Sequence, residues 1–136
     1  MTDASLHRIR LRPEVEEQLT FFAAVRHGDL LYVSGCVSWD QNGALIGAGD
    51  MALQARNVYS ELRTLLEGNG SSMRQVIKEN CYTLDMDAAL AHAVPVRAGF
   101  FTDGIGPAAT WVQVGKLALE GALLEVEVIA AVSRDR

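Results

Sequence analysis

An alternating pattern near the C-terminus predicts the clearest strand of the chain, over residues 122–133. One face of this strand carries Leu124, Val126, Val128, Ala130 and Val132, and the other carries Leu123, Glu125, Glu127, Ile129 and Ala131. Two carboxylates therefore share a face with apolar neighbours. Because buried carboxylates need polar partners, a polar cleft at the interface of an oligomer would accommodate both kinds of residue.

A helical repeat follows Asp50, which is a favourable N-cap residue. Apolar residues recur at spacings of four and three and form one stripe: Met51, Ala55, Val58, Leu62 and Leu65. Four polar residues lie off this stripe: Gln54, Asn57, Glu61 and Arg63. Gly68 and Gly70 are expected to end this helix. A second helix is predicted after Asp85, and Pro95 inside it predicts a kink or a restart.

Five further strands are predicted from apolar runs: Leu6 to Leu11, Phe21 to Arg26, Leu30 to Ser34, Val76 to Leu84 and about 108–117. Pro13 and the acidic residues that follow it are expected only to interrupt the chain between the first two strands. The resulting order, β-β-β-α-β-α-β-β, predicts an α+β fold with one sheet in a single domain of residues 1–136. Two helices can cover only one face of that sheet, so the other face is expected to contact another subunit.

Composition narrows the classes of function. The formal net charge is −5, and the 12 basic residues are scattered, which argues against a nucleic-acid partner. Cys36 and Cys81 lie far apart without ligand spacing, so no metal site is predicted. No apolar run approaches the ~20 residues that span a bilayer, and Met1 to Ser5 do not resemble a signal peptide. A cytoplasmic protein without a membrane partner is expected.

Five short motifs, in order along the chain, resemble the Rid family, also called the YjgF/YER057c/UK114 family. They are Leu30 to Gly35, Gln54 to Arg56 with Leu65 to Glu67 and Gly70, Val76 to Lys78 with Thr83 to Met86, Pro107-Ala108, and Glu125 to Ala130. The match covers about residues 19–133. The resemblance implies a chorismate-mutase-like fold, a homotrimer and three clefts between subunits that bind a small molecule. Typical members hydrolyse imines and enamines without a cofactor.

The resemblance also assigns roles to individual positions. Glu127 matches the glutamate that orients or deprotonates water, and Gly35 ends the first motif at the cleft. The substrate-binding arginine of the family follows Pro-Ala, where this chain has Ala109. Trp111 replaces a small residue two positions later, and Phe21 stands where a tyrosine often lines the cleft. Because 109, 111 and 113 share a strand face, Ala109, Trp111 and Gln113 are expected on the cleft side with Phe21. The substitutions predict a flatter and more apolar ligand than an imino acid.

Several alternatives remain open at this point. Glu127 is either the general base or a structural residue at a subunit interface, and Trp111 either contacts ligand or packs an interface. Arg97, Lys116 or Arg26 could replace the missing arginine, or remain solvated charges. Cys36 is interpreted as a buried thiol. The protein is accordingly either a hydrolase of imine-like or activated carbonyl compounds or a non-catalytic trimeric binding module. A chorismate-mutase activity is disfavoured, since that reaction needs several cations in the cleft.

Overall fold

The fold is described from a computed structural model covering residues 5–133. Its six strands are β1 Leu6–Ile9, β2 Ala24–His27, β3 Leu30–Cys36, β4 Val76–Thr83, β5 Ala108–Gln113 and β6 Leu124–Ala131. Its helices are α1 Pro13–Leu19, α2 Met51–Glu67, α3 Met86–Ala88 and α4 Val94–Ala98, with a π-helical turn Ala89–Ala93 between the last two. The α+β class predicted from the sequence is confirmed, as is the order of the strands along the chain.

The strands form a single mixed sheet in the order β1-β2-β3-β6-β4-β5. All neighbouring strands are antiparallel except β4 and β5, which run parallel. The C-terminal strand β6 therefore lies inside the sheet between β3 and β4, and β5 forms an edge. The alternation predicted for β6 is confirmed, because Leu124, Val126, Val128 and Ala130 are buried and the residues between them are half-buried.

Helix α2 covers one face of the sheet. The Asp50 side chain accepts a hydrogen bond from Leu53 N at 3.0 Å, and the helix ends directly before Gly68, as predicted. All five residues of the apolar stripe are buried. Gln54, predicted off the stripe, is also fully buried. Its amide bridges three backbone groups, donating to Gly47 O and Gly121 O and accepting from Leu123 N. Buried amides are tolerated when their hydrogen bonds are satisfied in this way.

The second helical segment is interrupted. Asp85 caps α3 by accepting from Ala88 N at 3.0 Å, and Pro95 stands in the first turn of α4. Proline lacks an amide hydrogen, so the first helical turn is the position that tolerates it best. The predicted restart at Pro95 is therefore confirmed.

The expectation that Pro13 and the following acidic residues only interrupt the chain is wrong, because they form helix α1. Pro13 begins the helix, and Glu14 and Glu16 lie in its first turn, where negative charge is favourable. The buried Glu16 carboxylate accepts hydrogen bonds from Leu11 N and Arg12 N, which satisfy amides at the helix start. The element order is thus β-α-β-β-α-β-α-β-β, with the second helical segment in two pieces.

The sheet face opposite α2 carries large apolar side chains that residues 5–133 do not cover. Tyr32 is 44% exposed and Val112 is 40% exposed, and Ile129 is paired beside Tyr32 in the β3–β6 ladder. This is the face that carries Glu125 and Glu127, since both alternate with the buried residues of β6.

Candidate functional site

A cavity of about 780 Å³ opens beside the two carboxylates of β6, and we refer to it as the Glu127 cavity. Helix α1, the end of β3, the turn after it and the loop before β6 supply its walls. The lining residues are Val15, Gln18, Leu19, Phe21, Ser34, Gly35, Val37, Trp39, Asn42, Gly43, Ala118, Leu119, Glu125 and Glu127. Glu125 and Glu127 are the charged members, and no Lys, Arg or His is among these lining residues.

A β-bulge shapes the cavity at the end of β3. The register between β3 and β6 shifts between Val33 and Cys36, so Ser34 and Gly35 lie opposite the part of β6 that carries Glu127. The Ser34 hydroxyl donates to Phe22 O at 2.6 Å, which holds the bulge against the segment before β2. A Cβ atom at Gly35 would lie 1.9 Å from Glu125 Oε2. Glycine is therefore what allows the Glu125 carboxylate to lie against the β3 backbone.

Glu127 is held by two donors from β4. Asn80 Nδ2 donates to Glu127 Oε2 at 3.1 Å, and the Tyr82 hydroxyl donates to the same oxygen at 3.2 Å. Desolvation, followed by the negative charge of Glu127, raises the pKa of Tyr82, so the phenol stays a donor at neutral pH. Within residues 5–133, no hydrogen bond to Glu127 Oε1 is found. One oxygen is thus fixed and the other is available to a water molecule or ligand.

Glu125 has different surroundings, although it lies two residues away on the same face. It is half-buried, and no hydrogen bond or ion pair to its carboxylate is found within the described part of the chain. Desolvation is the main cause of a raised pKa at Glu125, and repulsion from Glu127 adds to it. The site therefore contains one anchored carboxylate and one unpaired carboxylate.

Helix α1 was not predicted, and it supplies Val15, Gln18 and Leu19 to the cavity wall. Leu19 is 63% exposed although it lies along this wall. Pro13 followed by acidic residues is a helix-start pattern, so this wall could have been found from the sequence.

Trp39 forms another part of the wall. The Arg12 guanidinium lies 4.8 Å from the Trp39 ring centre and forms a two-pronged ion pair with Glu61, with oxygen distances of 2.6 and 3.0 Å. Arg12 also donates to the Trp39 and Asp40 carbonyl oxygens. Arg12 is 5% exposed, so it packs behind Trp39 and its charge is already paired with Glu61. Nothing in the sequence pattern indicated this pairing, which joins residues 49 positions apart.

The predicted site residues fall into two groups. Phe21, Gly35 and Glu127 line the Glu127 cavity together. Ala109 and Trp111 do not reach it within one chain, because the parallel register pairs them with Glu79 and Cys81, which face the helices. Paired residues of adjacent strands point to the same side of a sheet. The expected cleft lies between subunits, so a place for Ala109 and Trp111 beside a neighbour's Phe21 stays a prediction.

Gln113 follows the same register and pairs with Thr83. Its side-chain oxygen accepts a hydrogen bond from Met86 N at 2.8 Å and so connects β5 to the start of α3. Trp111 is half-buried and packs against the core of its own chain. The structure thus gives both side chains contacts within their own chain, on the helix-covered side of the sheet.

The candidate replacements for the missing arginine do not line the Glu127 cavity. Arg97 donates to Glu79 Oε1 through Nε at 2.8 Å and Nη2 at 2.6 Å on the helix-covered face. Arg26 donates to Gly28 O at 3.0 Å, and Lys116 is exposed in the loop after β5. Cys36 is buried as predicted, and desolvation raises the pKa of its thiol, which disfavours a nucleophilic thiolate.

No group of three or more His, Cys, Asp or Glu residues within 5–133 is arranged to hold a metal ion. Among the helices of the same range, none combines the length and apolar character that crossing a membrane requires.

The sequence of this chain is similar to those of one known protein family. A sequence model of the family described as endoribonuclease L-PSP matches residues 12–132. A RutC family protein of Pyrococcus horikoshii is 33% identical over 107 residues, covering 79% of this chain and 82% of that protein. The 3-aminoacrylate deaminase RutC of Acinetobacter baylyi is 30% identical over 112 residues, covering 82% of this chain and 86% of the relative.

Solved structures show the same architecture. A Mycobacterium tuberculosis member of the YjgF/YER057c/UK114 family superposes with a TM-score of 0.81 at 26% sequence identity. The match covers 94% of this chain and 100% of the M. tuberculosis chain.

Proposed function

This chain belongs to the endoribonuclease L-PSP family, which includes the YjgF/YER057c/UK114 or Rid proteins, and from that premise we propose that it binds and hydrolyses a small imine-like or enamine-like metabolite. Glu127 is the proposed general base. The deaminase RutC, 30% identical over most of both chains, supports a deamination of this class. Hydrolysis of another activated carbonyl compound is the related possibility, because the same water activation serves it.

The observation that carries the proposal is the asymmetric binding of the Glu127 carboxylate. Asn80 and Tyr82 both bind Oε2, while no described residue binds Oε1. A general base must be held in place and must also have an oxygen within hydrogen-bond reach of the proton that it removes. The two donors to Oε2 and the unbonded Oε1, at the wall of a cavity large enough for a small metabolite, support this role for Glu127.

The proposed reaction balances without a cofactor. Glu127 accepts a proton from water while the water oxygen bonds to the iminium carbon and the C=N π electrons move to nitrogen. The neutral carbinolamine then takes this proton from Glu127 onto its nitrogen. The C–N bond breaks as the hydroxyl oxygen forms the carbonyl, and the hydroxyl proton leaves with ammonia as ammonium. An enamine enters the same sequence after it is protonated at carbon.

A homotrimer completes the proposed site. The uncovered sheet face with Tyr32, Val112 and Ile129 is apolar enough to pack against another subunit. An edge strand such as β5 can then bring Ala109 to a neighbour's cavity, where typical relatives have an arginine. We also propose a cytoplasmic location, which suits the two buried free thiols.

The name of the family also mentions ribonuclease activity, but the Glu127 cavity does not suit RNA. Among the described residues, two carboxylates and no basic side chain line it, and the formal net charge of the chain is −5. RNA phosphates are normally bound by Lys and Arg. The charge of the cavity therefore favours a small metabolite over a nucleic acid.

The test uses imines that flavin oxidases generate in situ. Semicarbazide traps the imine that has not been hydrolysed. The substrate pair is 2-phenylethylamine and phenylalanine, whose imines differ by one carboxylate. We expect the protein to accelerate hydrolysis of the first imine and to act poorly on the second, because the described lining of the cavity contains no cation for a carboxylate. Glu127→Gln should lower the rate by roughly 100-fold if the carboxylate is the base.

Glu14→Gln is the matched control, because Glu14 is an exposed residue outside the cavity. Unchanged turnover in Glu127→Gln would disprove the role as base. If the unaltered protein accelerates neither imine, the non-catalytic binding module becomes the better proposal, with Glu127 acting as a structural acceptor for Asn80 and Tyr82.

A further inference from the structure

The walls of the Glu127 cavity are mostly apolar, and two of them are aromatic. Trp39 and Phe21 provide ring surfaces, and the aliphatic lining consists of Val15, Leu19, Val37, Ala118 and Leu119. Aromatic and aliphatic walls favour a flat, apolar ligand body, because such a body gains from burial and from stacking. The walls therefore indicate the shape of the preferred ligand. Its preferred charge depends on the polar end of the cavity, which is formed by Glu125 and Glu127.

The polar end is negative and uncompensated. Glu125 has no hydrogen bond or ion pair within residues 5–133, although it is half-buried. The donors that Glu127 receives from the described residues, Asn80 and Tyr82, are both neutral. Two carboxylates separated by one residue on one strand face repel each other, and partial burial strengthens this repulsion.

The neighbouring cations are already engaged elsewhere. Arg12 is paired with Glu61 behind Trp39, and Arg10 donates to Phe21 O and lies 3.8 Å from Glu16. Neither of them lines the cavity. The charge that would balance Glu125 and Glu127 must therefore come from outside the described part of this chain.

We propose that the Glu127 cavity recognises an organic cation with a flat apolar body: an iminium, a protonated amine or an amidinium. Its charged nitrogen lies between Glu125 and Glu127, and its body lies against Trp39 and Phe21. An anionic imino acid is excluded from this position by the same two carboxylates. Gly35 is essential to this arrangement, because any Cβ there would displace the Glu125 carboxylate.

This inference rests on the proposed function and narrows its substrate class to cationic imines. Protonation makes an imine both cationic and more electrophilic, so the cavity would select the reactive form of its substrate. Hydrolysis converts the iminium into a neutral carbonyl compound and ammonium. The neutral carbonyl product is no longer attracted to the carboxylates, which favours its release. The attraction therefore stabilises the bound cation and not the product.

The test measures binding alone, with four probes that share one ring: benzamidinium, benzylammonium, benzyl alcohol and benzoate. Calorimetry and tryptophan fluorescence of the intact protein at neutral pH report on each of them. We expect the two cations to bind saturably, the alcohol to bind at least roughly tenfold more weakly, as for loss of a charge-assisted contact, and benzoate not to bind. Glu125→Gln should weaken binding of the cations by roughly tenfold without changing binding of the alcohol.

Glu14→Gln should leave all four affinities unchanged, and circular dichroism should show that both variants remain folded. Gly35→Ala is a second variant, expected to weaken cation binding without removing a charge. Benzoate binding as tight as benzamidinium would overturn the proposal. So would equal losses for cations and alcohol in Glu125→Gln. Cation binding without imine hydrolysis would refute only the proposed function, and hydrolysis without cation binding would refute only this inference.

Discussion

At the scale of single residues, two glutamates on one strand face have different surroundings. Glu127 is bound by the amide of Asn80 and the hydroxyl of Tyr82, whereas Glu125 has no such donor within the described residues. The difference arises because Tyr82 pairs with Glu125 in the β4–β6 ladder, yet its long side chain reaches diagonally to Glu127. Diagonal neighbours on a sheet are within reach of aromatic side chains.

The raised pKa of Glu125 predicts how stability depends on pH. The folded state binds the proton of Glu125 more tightly than the unfolded state, because desolvation and then Glu127 raise the pKa. Stability should therefore fall as pH rises from the ordinary carboxylate range through the raised pKa. Glu125→Gln removes this loss, so its melting temperature should exceed that of the unaltered protein at neutral pH.

The measurement is thermal unfolding of both proteins across acidic to neutral pH without ligand. The difference in melting temperature should vanish below the ordinary carboxylate pKa, where both states are protonated. Glu14→Gln should show no comparable dependence. A variant that is less stable at neutral pH would mean that ionised Glu125 stabilises the fold through a contact that the isolated chain lacks.

At the scale of elements, a largely buried ion pair joins helix α4 to strand β4, next to the edge strand β5. Arg97 binds Glu79, which is fully buried on β4, and the Tyr59 hydroxyl from α2 donates to the other Glu79 oxygen at 2.7 Å. The Arg97 guanidinium also lies 4.6 Å from the Phe101 ring centre. Three elements therefore meet at one carboxylate.

Arg97→Met should destabilise the protein by about 3–5 kcal/mol, because it leaves the buried Glu79 charge without its cation. Urea unfolding followed by circular dichroism measures this change. The double variant Glu79→Gln with Arg97→Met should recover much of the loss, since it removes both charges and keeps the donor from Tyr59. A loss below about 1 kcal/mol in the single variant would instead indicate a weak surface-like pair.

At the scale of the whole molecule, one sheet separates two different surfaces. Helix α2 covers one face, and the other face exposes apolar side chains around Tyr32 while carrying both cavity carboxylates. The trimer and the single-domain organisation remain proposals. The trimer nevertheless gives this face a physical partner, since a second copy would bury Tyr32, Val112 and Ile129 together.

The trimer predicts a mass of three times 14.7 kDa by light scattering coupled to gel filtration at micromolar concentration. Tyr32→Glu should dissociate it, because the substitution places a charge in the apolar contact. Leu90→Glu is the control, since Leu90 is 55% exposed and lies in the helical segment rather than on the uncovered face. A stable monomer of the unaltered protein would remove the basis for a site shared between subunits.

The sequence by itself determined the elements whose signal is local. The alternation in β6 placed Glu125 and Glu127 on one face, and the stripe after Asp50 gave helix α2 and its buried side. Helix α1 also had a local signal at Pro13, although it was predicted only as an interruption. These features follow from the periods of strands and helices and from the residues that begin and end them, so neighbours along the chain suffice to specify them.

Only the tertiary structure decided which residues share the site. The parallel pairing of β5 with β4 turned Ala109, Trp111 and Gln113 toward the helices, because shifting a strand by one residue would reverse its faces. The bulge at Gly35, the pairing of Arg97 with Glu79 and the two donors to Glu127 likewise join positions distant in sequence. Register and long-range pairing depend on the packing of the whole sheet, so no local pattern specifies them.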